Sequence, residues 1–290
     1  MPMPKTYNDI FLKVRRDLKA AEIEGFSLEA RLLVSAAADK TKEEFARDMK
    51  LYVNRGFEEK VDALLARRLS GEPLAYIIGS WEFYGLPIEV TRDVMIPRID
   101  TEVLVSQAIA MAKWLPAGSR VLDLCCGSGC VGLAIAKNLP QIKVVLADLS
   151  PEAMKVSRAN VVLNKLTGRV TCAIVDARRS PPYSLLGEFD LIVSNPPYIP
   201  TGDIAWLDDT VRNHEPALAL DGGPDGLDFY RVIVAEWKKI LKPEGAILFE
   251  CGIDQAADVA DIFIQSGMTR IIRCKDTLGI ERVVVGQFDK

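Results

Sequence analysis

From Arg120 onward, short apolar runs rich in β-branched residues alternate with helical stretches, and this alternation constrains the fold more than any other feature. Strand-like runs fall at 121–124, 142–147, 170–175, 189–194, 246–250, 269–274 and 282–285. Helical stretches at 131–138 and 151–164 separate the early ones, and Ser150-Pro151 supplies an N-cap followed by a proline at the first helical position. Such alternation predicts a parallel sheet covered on both faces. The last two of the seven runs have no convincing helix between them, which is compatible with an antiparallel pair at one edge.

The first 75 residues read differently, as helices. Tyr7, Ile10, Phe11, Val14 and Leu18 recur at helical spacing. Ser27 precedes the apolar run 28–38 as an N-cap, and Thr41-Lys42-Glu43-Glu44 fits a capping box. Phe57, Val61, Leu64 and Leu65 mark a fourth helix, stopped by Gly71 and Pro73. Charges here are balanced, so this is a packing or docking bundle rather than a basic nucleic-acid arm. Residues 76–90 then carry two aromatic and β-branched stretches around Gly85-Leu86-Pro87, the pattern of a hairpin. The expected organisation is a helical docking domain over 1–75, a hairpin linker over 76–96 and the α/β domain over 97–290.

Bulk numbers agree with two domains. The chain has 290 residues, 49% of them hydrophobic and 26% charged. No apolar run approaches the roughly 20 residues of a membrane span, and residues 1–8 lack a signal pattern, so a cytoplasmic protein is expected. Six cysteines, at 125, 126, 130, 172, 251 and 274, show no paired zinc spacing and read as small buried hydrophobes. No metal is expected, because the single histidine, His214, leaves little for a histidine base or ligand set. The net charge of −4 argues against duplex DNA as a partner.

Val121-Leu122-Asp123-Leu124-Cys125-Cys126-Gly127-Ser128-Gly129 is a strand entering a glycine turn before a helix. The turn needs glycine where the backbone bends and a ligand comes close, and the helix behind it offers free N–H groups. Asp148, some twenty residues on, ends the next strand, placed to accept hydrogen bonds from a ribose diol. Gly127, Gly129 and Gly132 also satisfy the dinucleotide pattern, so on this motif alone a nicotinamide dehydrogenase and an S-adenosylmethionine enzyme stand level. Asp123 favours the second, since a carboxylate repels pyrophosphate and attracts a cationic methionine amino group.

The fourth strand decides the matter, because it runs directly into Asn195-Pro196-Pro197-Tyr198. At the carboxyl edge of a parallel sheet this motif lies beside the glycine loop. An amide nitrogen is a poor nucleophile because its lone pair is delocalised, so the lone pair must be aimed at the methyl it receives. The Asn195 side-chain oxygen and the Pro196 carbonyl each accept one N–H of a planar amide-type group, and the two prolines fix the direction of that carbonyl. Tyr198 offers a flat face. No strong base is needed, because alignment against an activated sulfonium carries most of the catalysis. Asp176, closing the third strand, is placed to meet an adenine amine. Glu250 reads equally as ligand or structural carboxylate, and Arg98 as orienting Glu102 or lining a substrate channel.

The chain resembles the peptide chain release factor glutamine methyltransferases, the HemK/PrmC family, over essentially its whole length. Besides Asn195-Pro196-Pro197-Tyr198, the resemblance rests on Gly71-Glu72-Pro73-Leu74-Ala75-Tyr76 with Trp81-Glu82-Phe83-Tyr84, and on Ile96-Pro97-Arg98-Ile99-Asp100-Thr101-Glu102. Glu215-Pro216-Ala217-Leu218 with Asp221-Gly222-Gly223-Pro224-Asp225-Gly226 completes it. The resemblance implies an α/β enzyme with a Rossmann-like, seven-stranded, S-adenosylmethionine-dependent methyltransferase domain behind an N-terminal helical domain that helps dock the substrate. That substrate is the glutamine of the Gly-Gly-Gln motif in class I release factors, methylated on its side-chain amide. By position, Asp148, Asp176, Ala177, Asn195 and the loop Cys125, Cys126, Gly127, Ser128 and Gly129 contact the cofactor, and Asn195, Pro196, Pro197 and Tyr198 hold the glutamine. A monomer is expected.

Two positions depart from the family pattern. Ile99 replaces a proline, and Cys125-Cys126 stands where glycine followed by threonine or serine is usual, so a Cβ at 125 restricts the loop. Rival readings are a DNA adenine amino-methyltransferase and a ribosomal-protein glutamine methyltransferase. The first predicts a basic region near the motif, whereas residues 181–230 carry nine acidic side chains and one basic, Arg212. The second differs after Ile-Pro-Arg, where Asp100-Thr101-Glu102 is retained here. A non-catalytic binding module is disfavoured by the intact motif.

Overall fold

The computed structural model describes residues 4–288 and divides into two compact units, Met1–Ser80 and Trp81–Lys290. The first unit contains helices Tyr7–Ala20, Phe26–Ala37, Lys42–Asp48, Arg55–Leu69 and Leu74–Ile78. Its core joins Ile10, Phe11, Val14 and Leu18 to Leu33, Phe45, Val61 and Leu65, so the helical periodicity identifies the buried faces. Thr41 and Glu44 form the expected reciprocal capping box, and Thr6 with Asp9 forms another. Ser27 is not a cap: Gly25, in the left-handed conformation at φ 66°, precedes that helix, and Ser27 lies in its first turn.

At the start of the second unit comes a hairpin of β1 (Ser80–Phe83, whose first residue closes the first unit) and β2 (Leu86–Glu89), turning at Tyr84-Gly85 with φ of 50° and 73°. Positive φ at both central residues suits the right-handed twist of a two-residue hairpin. Residues 76–78, read from sequence as the start of this hairpin, lie instead in the helix Leu74–Ile78, where apolar packing outweighs β-propensity. The hairpin is tied to the helix Pro151–Leu163: Asn160 Oδ1 accepts from the Glu89 N–H at 2.6 Å and its Nδ2 donates to the Glu89 carbonyl at 2.9 Å.

A seven-stranded sheet follows: β3 (Arg120–Leu124), β4 (Lys143–Asp148), β5 (Val170–Ile174), β6 (Phe189–Ser194), β7 (Leu241–Glu250), β8 (Arg270–Lys275) and β9 (Glu281–Gln287). Their order is β5-β4-β3-β6-β7-β9-β8, with the first five parallel and β9 antiparallel to both neighbours. Central strands are apolar on both faces, and Val121, Leu122, Val193, Ile247 and Phe249 are all fully buried. Tyr230, Ile233, Trp237 and Phe263 cover one face, and full burial of Ile233 or Phe263 is worth about 1.5–3 kcal/mol each.

The chain steps from β3 outward to β4 and β5, then returns to β6 on the other side of β3. This reversal opens a crevice between the tips of β3 and β6, where ligands of open parallel sheets bind.

Candidate active site

The crevice is a cleft whose walls are the segments leaving four adjacent strand tips. Asp123, Cys125, Cys126, Gly127 and Ser128 line it from β3, Asp148 from β4, Asp176 and Ala177 from beyond β5, and Asn195 through Tyr198 from β6. Gly129 does not face it. At φ 80° it caps the helix Cys130–Asn138, and a Cβ there would stand 2.7 Å from Leu146 Cδ1. Gly132 likewise serves close packing of helix on strand, since its Cβ would meet Leu146 at 2.4 Å.

The glycine loop is held from behind by its own backbone. Cys126 N–H donates to the Ala147 carbonyl, Gly129 N–H to the Cys126 carbonyl, and Ser157 Oγ donates to the Gly127 carbonyl at 2.7 Å. Gly127, at φ 52°, would place a Cβ in open space, so its backbone is bare toward the cleft. Cys125 holds a left-handed φ of 60° in spite of its side chain, a conformation that costs roughly 1–2 kcal/mol outside glycine. Burial pushes the Cys130 thiol up to about 12 and raises Cys125 and Cys126 further, so all three remain protonated thiols near neutrality.

Three carboxylates face this loop in different states. Asp123 is 1% exposed and accepts the Gly132 N–H at 2.8 Å; burial, only partly offset by that bond, pushes its carboxyl up to about 7. Asp148 accepts the N–H groups of Gly127 at 2.9 Å and Ser150 at 3.0 Å, and burial raises it too. Burial opposes ionisation of Asp176 as well, but the Arg178 main-chain N–H and the guanidinium groups of Arg178 and Arg179 hold it below the usual range.

On the opposite wall, Asn195 donates from Nδ2 to Thr101 Oγ1 at 3.3 Å. Tyr198 is held by its backbone: its carbonyl accepts from Gln255 Nε2 at 2.9 Å, and Gln255 Oε1 accepts the Gly252 N–H. The Gly-rich segment presses on the same stretch. Ile199 N–H donates to the Leu220 carbonyl and Gly222 N–H to the Ile199 carbonyl, so residues 220–223 run alongside as a parallel bridge. A Cβ at Gly222 would lie 2.7 Å from Tyr198 Cα, and one at Gly226 2.3 Å from the Tyr198 oxygen. These glycines are required by backbone contact with the motif, which sequence reading did not detect. Thr101, Gln255 and Glu250 were also not identified as neighbours of the motif, although Thr101 stands in a segment already singled out.

The sequence leaves Arg98 either orienting Glu102 or lining a substrate channel, and it does neither: it is not among the residues lining the cleft. Arg98 pairs with Glu215 across 117 positions, not with Glu102. Glu102 instead accepts the Tyr84 N–H at 2.9 Å. Ile99 is 79% exposed and opens a 3-10 turn, Ile99–Thr101, that delivers Thr101 to the interior. His214 is half-buried and does not line the cleft. Among the described residues, no helix is long and apolar enough to cross a membrane.

Two family models match this chain: Methyltransferase small domain over residues 99–215, and PrmC N-terminal domain over residues 9–79. A release factor glutamine methyltransferase of Geobacter sulfurreducens is 42% identical over 276 residues, covering 92% of this chain and 91% of the relative. One from Thermodesulfovibrio yellowstonii is 41% identical over 231 residues, covering 79% and 81%. The crystal structure of a methyltransferase from Pyrococcus furiosus shares the fold, with a TM-score of 0.51 at 19% identity, over 77% of this chain and 96% of that one.

Proposed function

Because the chain belongs to the release factor glutamine methyltransferase family, and is thereby a protein-glutamine methyltransferase, we propose that it methylates the side-chain amide of the Gly-Gly-Gln glutamine in class I release factors, with S-adenosylmethionine as donor. The observation that carries this reading is the meeting of Asn195-Pro196-Pro197-Tyr198 with the glycine loop in one cleft, at the switch point of the sheet.

The residues present fit the donor. Gly127 leaves a bare backbone on the cleft side, and Asp123 and Asp148 offer carboxylates to a cationic amino group and a ribose diol respectively. Asp176 and the Ala177 backbone suit the adenine end, and Cys125, Cys126 and Ser128 complete the loop. When bound, the donor supplies an electrophilic methyl on a cationic sulfur.

The chain's own work is alignment. Asn195 Oδ1 and the Pro196 carbonyl accept the two N–H groups of the substrate amide, turning its plane so that the nitrogen lone pair faces the methyl. Pro196 and Pro197 carry no N–H that would compete, and Tyr198 packs against the amide plane. The helical unit docks the release factor body. The acidic stretch around the motif, including Asp203, Asp208, Asp209 and Asp221, opposes a nucleic-acid substrate.

The test is methyl transfer from labelled S-adenosylmethionine to a release factor, a ribosomal-protein mixture and duplex DNA, with peptide mapping of the label. Label on the release factor glutamine alone is expected. Label on DNA or on a ribosomal protein would overturn the reading.

A further inference from the structure

Behind the Asn195 motif lies a buried polar group that the mechanism above does not use. Glu250 ends β7, next to β6, and the register pairs Ser194 with Phe249, so Asn195 and Glu250 leave neighbouring strands at one level. Glu250 is 2% exposed and lies outside the cleft lining. Its Oε2 has no hydrogen-bond partner. Burial pushes its carboxyl up to about 7; the Thr101 hydroxyl, Arg282 and the Asn195 amide favour its charged form, and Asp100 opposes it. Arg282 is directed instead at Asp100 and Asp276, each at 3.2 Å.

We propose that Glu250 is a positioning residue: through Thr101 it fixes which end of the Asn195 amide faces the cleft. The inference rests on the functional reading above and deepens it.

The argument is one of hydrogen-bond polarity. A carboxylate only accepts, and a protonated carboxyl still keeps a carbonyl oxygen that accepts, whereas a threonine hydroxyl has one proton to give and lone pairs to offer. With Glu250 behind it, Thr101 directs its proton toward the carboxylate and turns a lone pair to Asn195. Asn195 must then present its NH2 inward, as its Nδ2 donation to Thr101 Oγ1 shows. Its Oδ1 is left for the cleft. The two ends of an asparagine amide have nearly the same shape, so packing alone does not select between them. A flipped Asn195 would offer a donor to a substrate amide that also donates there, and the nitrogen would lose its alignment. The surplus acceptor capacity at Glu250, seen in its unpartnered oxygen, biases the pocket against that flip.

The experiment compares wild type with Glu250→Met, Glu250→Gln, Thr101→Val and the Thr101→Val/Glu250→Met double variant. Single-turnover methyl transfer to intact release factor is measured alongside KM for the release factor and Kd for S-adenosylhomocysteine. Glu250→Met should slow the single turnover by about 30-fold or more, short of the roughly 100-fold loss typical of deleting a transition-state contact. KM and Kd should stay within about threefold, because transition-state alignment is what is lost. Glu250→Gln, which can still turn an acceptor toward Thr101, should retain at least about a tenth of the rate. The double variant should be no slower than the slower single, as expected of residues acting in series.

Full activity of Glu250→Met would overturn the proposal. So would a loss shared equally by Gln and Met, multiplicative losses in the double variant, or a loss explained by weaker S-adenosylhomocysteine binding. If Glu250→Met does not fold, Thr101→Val and Glu250→Gln, alone and combined, give the same decision. Wild type is read first in the same assay. If it leaves the release factor unlabelled, the functional reading fails and this inference with it; if it labels the glutamine and the variants do not separate, the inference fails alone.

Discussion

Replacing Asp123 by asparagine separates two consequences of burying a carboxylate beneath the glycine loop. Burial pushes this carboxyl from 3.8 up to about 7, while the unfolded chain keeps the ordinary value. Between these values the native state holds a proton that the unfolded state has released, so stability falls as pH rises through the window. At roughly 1.4 kcal/mol per tenfold change, the full displacement sets a ceiling of about 4 kcal/mol, present above pH 7 and absent below the unfolded value.

Asparagine has the same shape, keeps an oxygen for the Gly132 N–H and does not titrate. Its NH2 adds a pH-independent cost of about 1–3 kcal/mol where it lacks a partner, so the change with pH is the informative quantity. The variant should gain about 2–4 kcal/mol relative to wild type between about pH 5 and about pH 8.5. Trp81, Trp114, Trp206 and Trp237 all lie in the methyltransferase unit, so urea unfolding followed by tryptophan fluorescence reports on that unit. Calorimetry should meanwhile show S-adenosylhomocysteine binding weakened by about 1–3 kcal/mol at the higher pH, where the lost group is a charge. A stability difference that is flat with pH would refute the burial argument, and unchanged S-adenosylhomocysteine affinity would remove Asp123 from the methionine end.

Other expectations follow from the same geometry. Asp148→Ala should weaken S-adenosylhomocysteine binding by about 1–3 kcal/mol by calorimetry, the cost of losing a hydrogen bond to a charged group; an unchanged affinity would remove it as ribose ligand. Gly222→Ala forces a Cβ against the Tyr198 backbone, which cannot give way as a side chain end would. Steady-state kinetics should show kcat/KM for release factor reduced by at least about tenfold while cofactor affinity stays within about threefold, since the glycine loop is untouched. Asn195→Ala should lose most of kcat with the fold retained by circular dichroism, and also some cofactor affinity if the same side chain touches the donor.

Much of this arrangement is legible in the sequence, for identifiable reasons. The strands announce themselves because a sheet buried on both faces demands continuous apolar runs, and the tips of β3 to β6 inherit their place at the crevice from chain order alone. Asp123, Asp148, Asp176 and Asn195 are therefore found by counting strands. What stays hidden depends on tertiary contact. Gly222 and Gly226 are glycine because the backbone of Tyr198 lies against them, and no local rule couples positions 198 and 226. Arg98 pairs with Glu215, far along the chain, while Glu102, four residues on, accepts the N–H of the hairpin turn, and neither partner is near in sequence. Glu250 stays neutral between two roles in the sequence, because its unpartnered oxygen and its level with Asn195 are set by the pairing of β6 with β7. Residues 76–78 misled because an aromatic and β-branched stretch suits a strand, while its packing makes it a helix.

The claim on which the account turns is that a substrate amide, held by its two N–H groups, receives the methyl. Single-turnover transfer from labelled S-adenosylmethionine to an intact release factor, and to the same factor with the Gly-Gly-Gln glutamine replaced by glutamate, tests it directly. The glutamine form should be labelled and the glutamate form not, since a carboxylate has no N–H for Asn195 and Pro196 to accept. Equal labelling of both would mean that the methyl goes elsewhere and that the amide clamp is wrong.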